Sequence, residues 1–269
     1  MSLAAPIRAL ARVDPAAFAA AEPFPHVVLD GFLESSLADR VAEEYARPGV
    51  AWKALHHVNE RKAVASDLAS FGPATQSVVR ALQGDDFREA LGTLTGMSNL
   101  LADPALDGSG LHVTHDGGFL NVHADHLAHT THRTWSRRVN LLLFLNRGWQ
   151  AEWGGQLELW SADVRRCVER IEPGFNRCVV FPVSPTTFHG VVPVRCPSGR
   201  GRKSIAVYYF HDEGRTCRLR PTHYVPRPGD DPLRRIAIRL DRWAVGVYSL
   251  LKRYTPLDDA TVSRFLKRF

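Results

Sequence analysis

The feature that most constrains the fold is a change of pattern near residue 111. Before it, apolar residues recur at helical spacing, as in residues 73–94. After it, short β-rich runs alternate with turn residues, and residues 139–145 are the best example because their side chains divide between two faces. This order predicts an α+β protein with supporting N-terminal helices and a mainly β core, either a barrel or a sandwich.

The expected organisation has three parts. Residues 1–22 are Ala-rich and weakly patterned, and we interpret them as an N-terminal arm or a short helix. Residues 23–220 are predicted to form the main domain, with its barrel core at about 111–212. Residues 221–269 begin with linker-like prolines and continue as a helical C-terminal extension.

Two helices have more detailed predictions. Ser36 and Asp39 have the spacing of a capping box, ahead of an apolar stripe that includes Leu37 and Val41. In the extension, a stripe at helical spacing is expected to pack on a neighbouring surface. Its members are Ile236, Leu240, Trp243, Val247 and Leu251.

The formal net charge of +6 is concentrated in the extension. From residue 232 to the end, nine Lys or Arg residues face three Asp residues, a local 9 − 3 = +6. No nucleic-acid-binding motif accompanies this charge, so no nucleic-acid partner is expected.

The composition predicts a cytoplasmic globular protein. No apolar run approaches the length of a membrane span, and the first residues lack the pattern of a signal peptide. The four cysteines contain no C-x-x-C pair, which favours reduced thiols.

The chemistry centres on a strand that follows the turn at Gly117-Gly118. On this strand His123 and Asp125 are two residues apart and share a face. An imidazole and a carboxylate side by side are two members of the 2-His-1-carboxylate arrangement that binds Fe(II). His189, beside a small residue on a distant strand, is the candidate for the third member.

Arg202 follows His189 by 13 residues (202 − 189) on a β-rich run. Its guanidinium suits bidentate pairing with the distal carboxylate of a chelating dicarboxylate co-substrate. Ser204 shares the face of Arg202 and offers a second hydrogen bond.

These residues resemble the Fe(II)/2-oxoglutarate-dependent dioxygenases, and within them the prolyl 4-hydroxylase-like branch, over roughly residues 23–212. The markers of the resemblance, in chain order, are Gly117-Gly118-Phe119-Leu120-x-x-His123-x-Asp125, Leu141-Leu142-Leu143-Phe144-Leu145-Asn146-x-x-Trp149, Gly154-Gly155-x-Leu157-x-Leu159-Trp160, Ile171-x-Pro173-x-Phe175-Asn176-Arg177, His189 and Arg202-x-Ser204-x-Ala206. The resemblance implies a double-stranded β-helix, a jelly-roll or cupin-like barrel. It also implies His123, Asp125 and His189 as catalytic iron ligands and Arg202 as the 2-oxoglutarate anchor.

The resemblance implies a hydroxylase that uses Fe(II), 2-oxoglutarate and O2, with ascorbate stimulating turnover. Phe144 departs from the pattern, because many relatives carry a tyrosine there whose hydroxyl contacts the co-substrate. Asn140 and Ser204 are the candidates to supply the missing contact.

Further polar residues are candidates for substrate binding, namely Asn121, His129 and Arg138. The loop at 126–132 is histidine-rich and is interpreted as a substrate-facing loop, with a second metal site as the alternative. Arg137 and Arg138 either line the pocket mouth and attract an acidic substrate or form a solvated strand end.

Three alternatives from other classes stay open. A cupin-like metal-binding protein without turnover would not need Arg202 and Ser204, and a metallohydrolase would be indifferent to 2-oxoglutarate. A basic adaptor protein would depend on the extension instead. The substrate, a peptidyl residue or a small molecule, and assembly into a homo-oligomer are also left open by the sequence.

Overall fold

The computed structural model describes residues 4–218 and 221–241. Helices dominate its first hundred residues and strands the remainder. The helices are α1 Ala4–Ala11, α2 Pro15–Ala20, α3 Ser35–Glu44, α4 Pro73–Leu82 and α5 Asp85–Thr95, with short 3-10 turns at Leu68–Ser70 and Ala151–Trp153 and helical residues at 232–241. The strands are β1 Val27–Asp30, β2 Lys53–His57, β3 Glu60–Ala65, β4 Leu101–Ala102, β5 Gly110–Thr114, β6 Phe119–Ala124, β7 Trp135–Phe144, β8 Leu157–Trp160, β9 Cys167–Ile171, β10 Arg177–Pro182, β11 Phe188–Val191, β12 Arg202–Asp212 and β13 His223–Tyr224.

The strands form one antiparallel sheet in the order β1-β10-β7-β12-β5-β3-β6-β11-β8-β9. The short strands β2, β4 and β13 pair with β3, β12 and β6. Neighbours in space are therefore mostly distant in sequence, as in jelly-roll-type barrels. This order brings β6, β11 and β12, which carry the candidate site residues, into one sheet.

The alternation predicted for β7 and β12 is confirmed by the burial pattern. One face of each strand packs on the helices and builds the main core, which contains Leu141 and Val207. The opposite face contributes to a second cluster that contains Phe144, Leu159 and Phe181. The polar site residues lie on this second face.

The N-terminal residues are part of the main core. Both α1 and α2 contact α5, and Leu10 and Phe18 are buried in the same cluster as the helix-facing side of the sheet. We expected an arm or a short helix here, because the Ala-rich composition gives a weak apolar pattern. The residues form two short helices, α1 and α2, that pack against α5.

The predicted capping box is wrong. Helix α3 begins at Ser35, and Glu34 at its N-cap position makes no side-chain cap hydrogen bond. Ser36 and Asp39 lie inside the helix, and Asp39 instead pairs with Arg147. The apolar stripe of this helix is confirmed, since Val41 is fully buried.

The hairpin of β2 and β3 was not anticipated from the sequence. Its residues are mostly polar, and β2 is largely exposed, so the apolar alternation of a strand is weak. Strand β3 nevertheless bridges β5 and β6. It thereby joins the strand opposite Arg202 to the strand that carries His123.

Residues beyond 220 also pack on the barrel. Strand β13 pairs with β6, with Tyr224 opposite His123. Arg227 forms an ion pair of 2.7 Å with the buried Glu158. The linker-like prolines therefore lie between two segments that both contact the barrel.

The stripe predicted for the extension is wrong at Ile236 and Leu240, which are 51% and 60% exposed. The buried apolar residue is Ile238, and Arg234 reaches Asn121 from the same helix. Polar anchors rotate the helix away from the orientation that apolar spacing alone favours. The other members, Trp243, Val247 and Leu251, lie outside the described residues.

All four cysteines are free thiols. Within residues 4–218 and 221–241, no helix has the length and apolar character that crossing a bilayer requires.

Candidate metal and co-substrate site

Two neighbouring strands bring the predicted triad together. His123 lies on β6 and His189 on β11, and the register of this pair places the two residues directly opposite each other. Their ring centroids are 4.3 Å apart. Asp125 immediately follows β6, so its carboxylate meets both imidazoles.

The donor atoms face a common point. His123 Nε2 lies 3.4 Å from Asp125 Oδ1, and His189 Nε2 lies 3.6 Å from Asp125 Oδ2. Both histidines are buried, and the Asp125 side chain is 10% exposed. The three candidate ligand atoms lie within 4.8 Å of one another, close enough for a facial triad.

Hydrogen bonds select the tautomer of both histidines. His123 Nδ1 donates to the Asn121 carbonyl at 2.9 Å, and His189 Nδ1 donates to the Thr187 carbonyl at 3.3 Å. Because a carbonyl only accepts, each Nδ1 carries the proton and each Nε2 presents a lone pair. Such a partner at the remote nitrogen is typical of metal-binding histidines.

The charges of the triad also suit a metal ion. Burial and the neighbouring His123 lower the pKa of His189 to about 3, so this imidazole is neutral at physiological pH. Burial opposes ionisation of Asp125, but the positive charge of Arg137 holds its pKa well below the usual value. Two imidazoles that present Nε2 and one carboxylate match the donor set of non-haem Fe(II).

Two polar residues of β7 orient Asp125. Asn140 Nδ2 donates to Asp125 Oδ2 at 2.8 Å, and Arg137 Nη2 lies 3.2 Å from the same oxygen. Arg137 Nε also donates to Asn140 Oδ1 at 2.7 Å, which closes the network. The carboxylate is therefore held in one orientation before any metal binds.

A β-bulge directs Arg137 into the site. Along β12 the partners Tyr209 and Phe210 face Val139 and Arg137, so Arg138 is the extra residue on β7. A bulge redirects side chains, and here it turns Arg137 off the helix-facing side that simple alternation assigns to it. From the sequence, Arg137 was expected either at the pocket mouth or at a solvated strand end, because a bulge has no apolar signature.

Arg202 lies at the start of β12 and is 5% exposed. Its Nε donates to the Gly155 carbonyl at 2.6 Å, and its guanidinium lies over the Phe144 ring at 4.7 Å. Within the described residues it has no carboxylate partner. Burial lowers its pKa to about 10, so it remains charged and poised for an external anion.

Gly155 makes room for this arginine. Its φ is +75°, and a Cβ at this position would lie 3.1 Å from Arg202 Cδ. Gly155 thus has a steric role, since it leaves room for the Arg202 side chain.

The two residues proposed to replace the tyrosine hydroxyl differ in availability. Asn140 has both ends of its amide occupied, at Asp125 and at Arg137, so it orients the Asp125 carboxylate and is not free for another partner. Ser204 is buried on β12 directly opposite Phe144. Of the two, Ser204 therefore stays the candidate for the contact that the missing tyrosine hydroxyl would make.

The candidates for substrate binding are distributed elsewhere. Asn121 is buried, and its Oδ1 accepts from Arg234 Nη2 at 2.8 Å, so it anchors the helical residues 232–241. His129 is buried against Asp103 and does not line the triad. Arg138 pairs with Glu213 at the rim of a cavity.

That cavity has a volume of about 530 Å³ and contains more basic than acidic side chains. Its charged lining residues are Arg137, Arg138, Arg215, Arg218 and Glu213. Since Arg137 also contacts Asp125, this cavity adjoins the triad.

A second group of metal-type ligands consists of Asp103, His129 and His132. His129 Nε2 lies 3.2 Å from Asp103 Oδ2. Its Nδ1 accepts from the backbone N–H groups of Thr131 and His132, both at 3.1 Å. The proton of the neutral ring must then be on Nε2, so no lone pair faces Asp103. This group is a structural contact in a loop that was interpreted as substrate-facing.

Comparisons with known proteins agree with this geometry. Residues 109–211 match the 2OG-Fe(II) oxygenase superfamily. Over 154 residues the chain is 29% identical to the mouse (Mus musculus) prolyl 3-hydroxylase OGFOD1, a match that covers 56% of this chain and 26% of the relative. The Xenopus laevis protein of the same name is 26% identical over 194 residues, which cover 70% of this chain and 35% of the relative. The chain thus spans about a quarter to a third of the length of these relatives.

Solved structures show the same fold. A Pseudomonas putida prolyl-4-hydroxylase superposes with a TM-score of 0.52 at 24% identity, over 78% of this chain and 99% of that one. A prolyl 4-hydroxylase from Phytophthora capsici gives 0.53 at 19% identity, over 78% and 66% of the two chains. The predicted double-stranded β-helix is confirmed.

Proposed function

We propose that this protein is an Fe(II)- and 2-oxoglutarate-dependent dioxygenase that hydroxylates a C–H bond. The match of residues 109–211 to the 2OG-Fe(II) oxygenase superfamily supports the proposal. One observation carries the proposal above the others. A two-histidine, one-carboxylate triad lies in the same barrel as a buried arginine that lacks a carboxylate partner among the described residues. A metallohydrolase has a use for the first feature but none for the second.

His123 Nε2, His189 Nε2 and the Asp125 carboxylate would hold the iron. Fe(II) bound there would use O2 to decarboxylate 2-oxoglutarate oxidatively, which gives succinate and CO2. One oxygen atom of O2 would enter the succinate, and the other would be transferred to the substrate. Asp125 fills the position that a halide would need, which favours hydroxylation over halogenation.

The protein groups bind and orient the co-substrate. Arg202 pairs with its distal carboxylate, and Ser204 lies beside it on the same strand face. Phe144, Leu159 and Phe181 supply a buried apolar wall that excludes water. Arg137 and Asn140 keep the Asp125 carboxylate ionised and oriented.

For the substrate we propose a prolyl residue, on the likeness to prolyl 3-hydroxylases. The arginine-rich cavity beside Arg137 supports entry of the substrate at that face, with acidic groups near the reacting residue. We further propose stimulation by ascorbate, and action in the cytoplasm, for which the four free thiols are the supporting observation.

The test is turnover of 2-oxoglutarate with Fe(II), O2 and ascorbate. Wild-type protein should release succinate slowly even without its substrate, through uncoupled turnover, and His123→Ala should not. His132→Ala is the matched control, since it removes a histidine of the other cluster. Equal succinate release in wild type and His123→Ala would contradict the iron assignment.

A further inference from the structure

A lateral row of three residues crosses the sheet beside Arg202. On one side of Ser204 the register places Phe144 of β7, and on the other side it places His112 of β5. Arg202 is two residues from Ser204 and therefore shares its face. Directly opposed side chains of neighbouring strands lie within contact range. The guanidinium is thus accompanied by one phenyl ring, one hydroxyl and one imidazole.

The imidazole of His112 is the unexplained member of this row. The residue is 9% exposed, and its Nε2 is buried with no hydrogen-bond partner among the described residues. The Gly108 backbone favours a proton on the ring, and because Nε2 has no partner among the described residues, we assign the proton of the neutral ring to Nδ1. Nε2 therefore carries a lone pair while the site holds no ligand. A buried polar atom without a partner is costly and calls for an explanation.

The charges around His112 are those of an anion site. Burial, and then the positive charges of Lys62, Arg202 and Arg137, lower its pKa well below the usual value. These cations come from β3, β12 and β7. Among the described residues, Lys62 pairs with Glu60 at 3.0 Å and Arg137 with Asp125 at 3.2 Å, whereas Arg202 has no carboxylate partner. An anion bound beside Arg202 would offset part of the positive charge that disfavours protonation of the ring.

We propose that His112 is a specificity-determining residue for the co-substrate, which takes up one proton from solvent at Nε2 on binding and donates a hydrogen bond to the distal carboxylate held by Arg202. The inference rests on the proposed function. The proton taken from solvent forms a new N–H bond at Nε2, so the imidazole becomes an imidazolium while the carboxylate stays ionised. His112 thereby supplies from β5 the contact that a tyrosine hydroxyl would supply in place of Phe144 on β7.

Binding of 2-oxoglutarate to anaerobic, Fe(II)-loaded protein tests this by calorimetry in two buffers of different ionisation enthalpy. Wild type should take up about one proton on binding 2-oxoglutarate. Its affinity for 2-oxoglutarate should fall roughly tenfold per pH unit as the pH rises from the pKa of His112 in the free protein to its pKa in the complex. His112→Gln should bind with little loss and without proton uptake, because an amide donates a hydrogen bond in its neutral form. His112→Phe should bind about tenfold or more weakly.

The matched ligand is 2-oxopentanoate, which has the same chain length but no distal carboxylate. Its affinity should be the same in wild type and His112→Phe, which separates the loss of one contact from a disturbed fold. The exposed His115→Gln is the matched control variant and should behave as wild type. Wild-type binding without proton uptake, together with unchanged affinity in His112→Phe, would overturn the inference and leave the proposed function intact. Metal-loaded wild type that binds no 2-oxoglutarate would overturn the proposed function, and the inference with it.

Discussion

The barrel contains two groups of two histidines and one aspartate with similar dimensions and opposite chemistry. The Nε2-to-carboxylate distances are 3.4 and 3.6 Å in the triad of His123, Asp125 and His189, and 3.2 Å between His129 and Asp103. Distance alone does not distinguish them. The partners of Nδ1 do, since the triad histidines donate there to carbonyls, whereas His129 accepts from backbone N–H groups.

This contrast teaches that the backbone near a histidine decides which ring nitrogen carries the proton and which one presents a lone pair. In the triad, each Nδ1 meets a carbonyl two residues earlier in the chain, which leaves Nε2 free of a proton. In the loop, the chain turns back over His129, so Nδ1 caps the turn and Nε2 keeps its proton. The following predictions test this contrast.

The largest effect is expected for His189→Ala. Loss of one of three ligands should reduce bound iron from about one ion per chain to nearly none. Metal analysis after anaerobic loading and desalting gives the number, and His129→Phe should keep its iron. Retention of iron in His189→Ala with loss in His129→Phe would reverse the assignment of the two groups.

A smaller effect is expected for Asn140→Leu. The triad stays complete, but Asp125 loses the amide that donates to Oδ2 at 2.8 Å, and Arg137 loses its second partner. Removal of a partner that orients a metal ligand weakens metal affinity by about 10–100-fold. Competition with a chelator of known affinity measures it. An affinity equal to wild type would remove Asn140 from the orienting network.

Asp103→Asn should affect stability and leave the iron in place. The carboxylate accepts the backbone N–H groups of Ala105 and Asp107 and faces His129, so its loss should cost about 1–3 kcal/mol of unfolding free energy. Denaturant unfolding at pH 7 measures it, with metal content as the control. Altered iron content in this variant would mean that the two groups are coupled.

The same variant has a predicted pH dependence. Burial opposes ionisation of Asp103, but the N–H groups of Asp107 and Ala105, and then His129, lower its pKa in the folded state. A depressed carboxylate pKa stabilises the protein above the unfolded value, and that stability is lost as pH falls through the folded value. The difference between wild type and Asp103→Asn should therefore shrink below about pH 4. A difference that grows on acidification would contradict this linkage.

The smallest effect is expected for His132→Ala. This exposed ring stacks on Trp135 with a centroid distance of 4.2 Å, and its loss should cost about 0.5–1 kcal/mol. Iron content and 2-oxoglutarate affinity should equal those of wild type. A second metal ion per chain that disappears in this variant would show that His129 can change tautomer and bind.

The sequence by itself determined how side chains alternate along the strands, which residue types are candidate ligands, and on which face of its strand each candidate lies. His123 and Asp125 share a face because alternation is a property of an extended backbone, and the helix-facing and inner sides of β7 and β12 follow from the same rule. The resemblance implied His189 and Arg202 as partners, and the structure places both in this barrel.

Only the tertiary structure decided which nitrogen each histidine presents and how Arg137 is aimed. The bulge at Arg138 depends on pairing with β12, more than sixty residues later, and it has no local signature. The position of His112 beside Ser204 depends equally on a register between distant strands. Hydrogen-bond partners and registers are set by contacts between segments far apart in the chain, whereas alternation is set by the covalent geometry of each residue.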